Sequence, residues 1–195
     1  GSEELKGGLI PSIIAGELQG AVAYLEKQSR YEVADQLTRA RQDGDNWVLD
    51  GEKVVVLNGG AAQKIIVSAR TSGDQSDEQG ISLFLVDADA AGVERTSYRM
   101  TDGRDAATIK VSGAVATAVV GGIGEGYQLL EDVFDKGRLA VCAEALGAME
   151  ALNAQTVEYL KTRKQFDVTI GSFQALQHRA VDMFGACENV RSLLY

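Results

Sequence analysis

The chain has 195 residues, and 45% of them are hydrophobic, which is enough to bury a core in one domain or in two small ones. Acidic residues outnumber basic ones by 28 to 19, and the formal net charge is −9 at pH 7. This balance argues against nucleic acid and anionic membrane surfaces as partners, because both normally bind a basic face. No apolar run approaches the roughly 20 residues that span a bilayer, and no signal-peptide pattern opens the chain. Cys142 and Cys187 lie in helix-like apolar surroundings, so we expect reduced thiols and a cytoplasmic location.

The chain begins with a predicted helix and then changes to β-structure. Residues 3 to about 16 carry apolar side chains on one side of a helix, and Gly16 is a plausible stop. From residue 17 to about residue 120, short β-rich runs alternate with turn signals. Two Asp-Gly pairs, Asp43-Gly44 and Asp50-Gly51, lie on either side of "NWVL" and predict a hairpin.

Further strands are predicted from the segments "KIIVSAR", "ISLFLVDA" and "ATIKVSGAVAT", which are rich in β-branched and aromatic residues. The segment "TSGDQSDEQG" is polar and rich in turn formers, so we expect a solvated loop there. Six or so short antiparallel strands favour a small barrel or sandwich.

The hydrophobic period changes to that of a helix after "GGIGEGYQ". A long helix is predicted from about Tyr127 to Thr162, and a second begins near Ser172 and continues to the end. The last helical pattern stops with no Gly or Pro cap, so we expect the chain to be part of a longer protein. The sequence predicts an α+β multidomain fold, in which an antiparallel β-barrel or sandwich is followed by helices of an incomplete four-helix bundle. Its expected parts are 1–16 (end of an N-terminal helical domain), 17–121 (middle β-domain) and 122–195 (truncated C-terminal helical domain).

Two features that resemble functional motifs are better explained as structural. The glycines of "GGIGEG", residues 121–126, do not have the G-x-G-x-x-G spacing and lie in no βαβ unit, so a hinge is the simpler interpretation. His178 has no Cys or second His at ligand spacing, so we expect no metal site, and a single His argues against a Ser-His-Asp triad.

The segment "KTRKQFDVTIGSFQALQH" is a stronger candidate for a binding site. It concentrates an Arg, several side-chain amides and two aromatic rings, and such a set suits a pyrophosphate joined to an aromatic ring system. A structural alternative stays open, because Arg163 and Lys164 would also favour the dipole at the end of a long helix.

At this point the sequence resembles the acyl-CoA dehydrogenase family. The resemblance covers nearly the whole chain, in order: "LIPSIIAGELQGAVAY" is similar to the entry to the family's middle domain, and "GDNWVLDGEKVVVLNGGAAQKIIVSART" to its central hairpin. "GIGEGYQLLEDVFDKGRLAVCAEALGAMEAL" looks like the first C-terminal helix, and "RKQF" followed by "IGSFQALQH" is similar to the family's most specific motif.

The resemblance implies a flavoprotein that oxidises a fatty or steroid acyl-CoA thioester with FAD and passes electrons to an electron-transfer flavoprotein. Members usually form tetramers made of two dimers, and the RKQF region reaches the flavin of the other subunit. The residues expected to contact FAD by this resemblance are Arg163, Gln165, Phe166, Ile170, Phe173 and Gln174.

The sequence departs from the family where a subunit contacts its own flavin. Members normally read T-E-P-x-A-G-S-D-V-A, but here Leu25, Arg30 and Tyr31 replace the Thr, Gly and Ser. Members commonly carry W-[IS]-T-N before a Gly pair, whereas this chain has "VVLN" at 55–58. Each missing hydroxyl costs about 1 to 3 kcal/mol if its partner is buried, and several together rival the roughly 8 kcal/mol of micromolar binding. We therefore expect a degenerate flavin pocket in this chain.

The catalytic base is also missing from these residues, so we assign none of them a catalytic role. Members carry the base late in the C-terminal domain or, in some cases, on the first helix at the place of Gly137. Phe134, Asp135 and Arg138 match positions that line the acyl-CoA site, although an Asp135–Arg138 ion pair on the helix surface is an equal explanation.

Three hypotheses follow for the function. The favoured one is the flavin-poor subunit of a heteromeric acyl-CoA dehydrogenase, of the kind known for steroid side-chain breakdown, with residues 1–195 inactive alone. The second is a non-catalytic acyl-CoA-binding or scaffold protein with this fold. The third is an ordinary homomeric dehydrogenase with an unusual pocket.

Overall fold

The computed structural model describes residues 2–195, which form two compact units. The first ends at Glu131, and the second is Asp132–Tyr195. The α-helices are α1 Glu3–Ile14, α2 Gly126–Thr162 and α3 Gln174–Leu194, and a 3-10 turn covers Ile170–Ser172. The strands are β1 Gly20–Ala23, β2 Arg39–Asp43, β3 Asn46–Leu57, β4 Lys64–Arg70, β5 Ile81–Asp87, β6 Val93–Arg99, β7 Asp105–Val115, β8 Ala118–Val120, β9 Lys164–Gln165 and β10 Val168–Thr169.

The α+β fold confirms the expected class. Both long C-terminal helices form where the apolar period predicts them. Helix α1 ends where Gly16 takes φ +75°, as predicted. Among residues 2–195, no helix is long and apolar enough to cross a membrane.

The main sheet of the first unit has eight strands, in the order β6-β7-β3-β2-β4-β5-β8, with β1 also paired to β4. The sequence predicts antiparallel strands in a small barrel or sandwich, and the observed sheet differs from that expectation in two respects. The strands form an open path and not a closed ring, and β1 runs parallel to β4, with Gly20 opposite Lys64 and Ala23 opposite Val67. Strand β1 has only four residues and pairs with a strand more than 40 positions away, so no local pattern reports its direction.

The core of the first unit lies against β3, β4, β5 and β7. Strand β5 is buried from Ile81 through Val86, so this mostly apolar strand is covered on both faces. The single Trp of the chain, Trp47, stacks at a tilt on Phe84 with ring centroids 5.3 Å apart. The largest apolar side chains with almost no exposure are Phe84, Leu49, Ile65, Ile81, Ile109, Val56, Val67 and Val86.

Only one of the two Asp-Gly pairs forms the predicted turn. Asp43 pairs with Asn46 across a tight turn in which Gly44 has φ +60°. Asp50-Gly51 instead lies inside β3, opposite a bulge of β7, where the Asp50 carboxylate accepts a 2.8 Å hydrogen bond from the Gly113 amide. Glycine is required at 51 because a β-carbon there would lie 2.7 Å from Thr38 Cα.

The second unit is a pair of antiparallel helices, α2 and α3. Arg191 donates to the Glu150 carboxylate at 2.6 Å, and the Asn153 amide lies 3.9 Å from the buried Cys187 sulfur. Leu146 is the buried apolar residue of α2 in this unit. Several large apolar residues of the two helices are exposed, namely Val133, Leu139, Val141, Leu152, Val181, Phe184 and Leu193.

Candidate functional site

A short hairpin follows the end of α2 and carries much of the predicted flavin-contact set. Strands β9 and β10 pair antiparallel, with Lys164 opposite Thr169 and Gln165 opposite Val168. The two residues between them, Phe166 and Asp167, form the turn. We call residues 163–169 the tip hairpin.

The turn of the tip hairpin places the bulky Phe166 in a backbone conformation that such a side chain disfavours. Phe166 has φ +53° and Asp167 has φ +62°, so both central residues are left-handed, as in a type I′ turn. Such turns strongly prefer Asn-Gly, and for a bulky side chain the left-handed region costs about 1 to 2 kcal/mol. Strain of this kind persists only where the surroundings fix the backbone, and it is concentrated at functional sites.

The base of the tip hairpin is held firmly against the second unit's helices. The Ile170 amide donates to the Arg163 carbonyl at 2.8 Å, and the Gln177 side-chain amide donates to the Gly171 carbonyl at 2.8 Å. Gly171 approaches α2 so closely that a β-carbon there would lie 2.8 Å from the Leu160 carbonyl oxygen. This close approach fixes the position of the hairpin relative to α2.

Gly171→Ala is expected to destabilise the second unit by about 1 to 3 kcal/mol, because the new methyl group must push the hairpin away from Leu160. Gly147→Ala is the matched control. A β-carbon at Gly147 meets no atom within 4 Å, so Ala is expected to stabilise α2 by about 1 kcal/mol. Thermal unfolding followed by circular dichroism checks both changes, and a stable Gly171→Ala variant would contradict the close approach.

The side chains of the tip hairpin face solvent. Phe166 is 85% exposed, and its ring meets the Phe173 ring edge to face with centroids 6.2 Å apart. Arg163 and Gln165 are exposed, while Ile170 is half-buried at the start of the 3-10 turn. Gln174 is the first residue of α3. The structure therefore places all six predicted contact residues within one twelve-residue stretch, in the tip hairpin and the segment that leads into α3.

The candidate substrate-contact residues lie on the second unit's part of α2. Asp135 and Arg138 are exposed and form an ion pair one helical turn apart, and Phe134 is half-buried. Gly137 lies between them with open space around its Cα. Among residues 2–195, no group of three or more His, Cys, Asp or Glu side chains is arranged to hold a metal ion.

The segment 19–25 lies beside the end of β3. The resemblance expects the in-chain flavin contacts at Leu25, Arg30 and Tyr31 and at residues 55–58. The Val54 amide donates to the Leu25 carbonyl at 2.9 Å, and the Asn58 side chain donates to the Gly20 carbonyl at 3.2 Å. The register of β3 against β7 shifts between Lys53 and Val56, and Val55 takes φ +52° within this bulge. A left-handed Val is a genuine outlier, and a strained bulge often marks a functional position.

The bulge buries Val56 and leaves Val55 and Leu57 on the outside of the sheet. Val55 is 42% exposed and Leu57 48%, and Val22 of β1 is also exposed. None of these side chains can donate or accept a hydrogen bond. We call Val22, Val55 and Leu57 the apolar strip.

The segment 26–31 forms a turn that presents two large side chains. The Ser29 hydroxyl accepts from the Glu26 amide and donates to the Glu26 carbonyl, both at 3.0 Å. Beyond it, Arg30 takes φ +50° and Tyr31 is 93% exposed. The bulk that the sequence places here therefore reaches solvent.

A buried polar network that the sequence analysis missed fixes this turn to the sheet. Lys53 is fully buried on β3, and its ammonium group bonds the Glu26 carboxylate at 2.7 Å, the Ser68 hydroxyl at 3.0 Å and the Gln36 side chain. Glu26 also accepts from the Leu37 and Thr38 amides at 2.7 and 3.0 Å. The only local signal is that Lys53 directly precedes the apolar run "VVVL" at 54–57, and a lysine at such a position normally predicts an exposed side chain.

The network shifts the pKa values of both its ionised members. Burial favours a higher pKa for Glu26, but the Lys53 charge and the hydrogen bonds outweigh it and lower the pKa to about 2. Burial lowers the pKa of Lys53 to about 8, against the opposing attraction of Glu26. The charged pair thus holds the 26–38 segment on β3.

Comparison with known proteins identifies both units. The model for "Acyl-CoA dehydrogenase, middle domain" matches residues 21–112, and that for "Acyl-CoA dehydrogenase, C-terminal domain" matches residues 124–195. A probable acyl-CoA dehydrogenase of Mycobacterium tuberculosis is 30% identical over 207 residues, which cover 100% of this chain and 51% of that protein.

Solved structures agree with the sequence matches. The butyryl-CoA dehydrogenase of Megasphaera elsdenii has a TM-score of 0.91 and 28% identity, over 100% of this chain and 52% of that one. A structure described as the FAD complex of PigA has a TM-score of 0.92 and 26% identity, over 100% of this chain and 52% of that one. The chain spans about half the length of these relatives. Because both family models match in sequence order and the structural match extends over the whole chain, this chain belongs to the acyl-CoA dehydrogenase family.

Proposed function

We propose that this protein is a subunit of an acyl-CoA dehydrogenase assembly that contributes FAD contacts to a partner subunit and lacks a complete flavin site of its own. The assembly would oxidise an acyl-CoA thioester between its α and β carbons. We propose also that 1–16 closes an N-terminal helical domain, that 17–121 is the middle domain and that 122–195 begins the C-terminal domain.

One contrast carries this proposal. The tip hairpin keeps an exposed Arg163, Gln165 and Phe166 on a firmly anchored base, whereas the apolar strip offers no hydrogen-bonding side chain. A flavin ring has polar edges that need donors when they are buried, and each unmet partner costs about 1 to 3 kcal/mol. The residues of this chain therefore suit contacts to an FAD bound by a partner subunit better than they suit an FAD bound by this chain itself.

The roles of the tip hairpin residues follow from their chemistry. The Arg163 guanidinium would bind phosphate oxygens in a bidentate manner, and the amides of Gln165 and Gln174 would each offer a donor and an acceptor. The rings of Phe166 and Phe173 and the Ile170 side chain would pack on apolar parts of the cofactor and exclude water. When bound, FAD would accept the hydride that leaves the β carbon of the substrate.

The remaining roles are divided between this chain and its partner. Phe134, Asp135 and Arg138 would line the acyl-CoA site, and for that role Arg138 would exchange its ion pair with Asp135 for a ligand. The catalytic base would come from outside residues 1–195, because Gly137 has no side chain to remove a proton. Electrons would leave the assembly through an electron-transfer flavoprotein.

The test is the flavin content of the protein, purified once alone and once after coexpression with a flavin-binding acyl-CoA dehydrogenase homologue. We expect essentially no flavin alone and about one per pair of chains in the complex. One flavin per chain in the protein alone would overturn the proposal, because the apolar strip would then be compatible with a complete site. Calorimetry with acyl-CoA in the absence of flavin and partner separates the scaffold hypothesis, which alone requires binding under those conditions.

A further inference from the structure

The turn of the tip hairpin carries one charged residue, Asp167, which directly follows the exposed Phe166. Asp167 is exposed, and within residues 2–195 its carboxylate forms no ion pair or hydrogen bond. The cations of the hairpin, Arg163 and Lys164, lie at its base, and neither lies within ion-pair distance of Asp167. The carboxylate is therefore available to another molecule.

Turn geometry alone does not require a charge at this position. Asp167 has φ +62°, and Asp tolerates the left-handed region, but Asn and Gly occupy it as well or better. A neutral residue would therefore satisfy the turn.

The proposed function brings this carboxylate near the negatively charged phosphates of FAD, and the inference rests on that function. Arg163 would approach the phosphates of FAD, and Asp167 lies on the same short hairpin. Like charges at such separations repel, and the repulsion increases where protein excludes water. A positive charge outside this chain would offset this repulsion when the tip hairpin binds.

We propose that Asp167 determines which subunit this protein assembles with, because its carboxylate forms an ion pair with a basic side chain on the subunit that binds the tip hairpin. That subunit would present an apolar pocket for the Phe166 ring and, at its rim, a Lys or Arg for the Asp167 carboxylate. Aromatic anchors supply most of the affinity of such contacts, while a charge at the rim selects the partner and accelerates association. A subunit with an acidic or neutral rim would be rejected.

The experiment measures the dissociation constant between this protein and the coexpressed flavin-binding homologue, at about 50 mM and about 500 mM salt. Asp167→Asn is the informative variant, since it removes the charge and keeps a residue that accepts the turn. We expect it to weaken binding about tenfold at low salt and less than about twofold at high salt, because salt screens a rim ion pair. Asp167→Gly should behave in the same way, and neither change should lower the thermal stability of the protein alone.

The outcomes separate this inference from the function on which it rests. If Phe166→Ala weakens binding but Asp167→Asn and Asp167→Gly bind as tightly as the unchanged protein at both salt concentrations, the charge has no role and the inference is wrong, while the proposed function stands. If Phe166→Ala and Arg163→Ala also leave binding and flavin content unchanged, the tip hairpin is not the contact. If the unchanged protein does not bind the homologue, both proposals fail.

Discussion

Glu26→Gln is expected to lower the free energy of unfolding of the first unit by about 3 kcal/mol at pH 7. The substitution removes the negative charge that balances the buried ammonium group of Lys53. Lys53 is fully buried, and Glu26, at 2.7 Å, is the anion that balances it. A glutamine can still accept a hydrogen bond, but it cannot neutralise an ammonium group inside a sheet, and an uncompensated buried charge is strongly destabilising.

Lys53→Met is expected to cost less than Glu26→Gln. The Glu26 carboxylate keeps its hydrogen bonds from the Leu37 and Thr38 amides and from the Gln28 side chain, at 2.7, 3.0 and 2.9 Å. The double variant should be more stable than the sum of the two losses predicts, because neither charge is then left alone. A purely additive double variant would contradict a coupled pair.

The pH dependence follows from the sign of each shift. The pKa of Glu26 is lowered from 4.5 to about 2 in the folded state, so its contribution is complete above about pH 4.5 and is lost as the pH falls towards 2. The pKa of Lys53 is lowered from 10.5 to about 8, so the folded state binds fewer protons in that interval and stability rises with pH from about 8 to 10.5. In Glu26→Gln, residue 26 no longer titrates, so its loss of stability below about pH 4.5 disappears. The difference in unfolding free energy between this variant and the unchanged protein shrinks as the pH rises and Lys53 loses its proton.

Urea unfolding followed by tryptophan fluorescence measures this pH dependence directly. Trp47 is the single Trp of the chain and contacts Phe84 in the core of the first unit, so its emission reports that unit alone. Series at pH 4, 7 and 9 for the four proteins of the cycle are sufficient. A Glu26→Gln deficit that is the same at pH 7 and 9 would show that Lys53 stays protonated without its partner.

Elements with a strong period were predictable, and those fixed by distant contacts were not. Helix α2 and the strands β4, β5 and β7 follow apolar patterns that extend over a whole element. Strand β6 was not predicted because its sequence "VERTSYR" is mostly polar and exposed. Strand β1 was not predicted because it is short. Such strands form because a neighbour supplies the pairing, and a single sequence does not show that neighbour.

The candidate site shows the same division. The tip hairpin was found as a concentration of donors and rings, but its strained turn at Phe166 and Asp167 was not, since Phe-Asp is not one of the Asn-Gly or Asp-Gly pairs that predict a two-residue hairpin turn. Lys53 was overlooked because a charged residue in a strand normally marks the solvent face, and only the fold brings Glu26 to it. A buried charge pair joins residues that are distant in sequence, so a local sequence pattern predicts that each of them lies on the surface.

Arg70→Met is expected to destabilise the first unit by about 3 kcal/mol or more and to release the loop 71–80, because each buried carbonyl that loses its donor costs about 1 to 3 kcal/mol. Arg70 is 1% exposed at the end of β4 and donates only to main-chain carbonyls. Burial lowers its pKa from the ordinary value, but a guanidinium remains charged at neutral pH, so the carbonyl dipoles and the charges of Asp77, Asp74 and Glu26 must stabilise it. Its acceptors, at 2.8 to 3.2 Å, are the carbonyls of Ala34, Ser72, Gln75, Asp77 and Gln79.

These bonds join the loop 71–80 to the segment that carries the 26–31 turn. The Gln36 amide also donates to the Gln75 carbonyl at 3.0 Å, so the loop expected to be merely solvated supports the neighbouring segment. Arg70→Lys should lose nearly as much as Arg70→Met, because one ammonium group cannot reach acceptors arranged around a planar fork.

Hydrogen exchange at the Gln36 and Thr71 amides measures the release, since both donate to carbonyls of this loop. We expect both amides to exchange much faster in Arg70→Met and in Arg70→Lys, alongside the loss of unfolding free energy. Arg41→Met is the matched control, because Arg41 is exposed and its pair with Asp43 is 3.6 Å long, so its removal should change stability by less than about 0.5 kcal/mol. If Arg70→Lys retained full protection at Gln36, a point charge would be enough to order the loop, and the geometry of the guanidinium would not be what holds it.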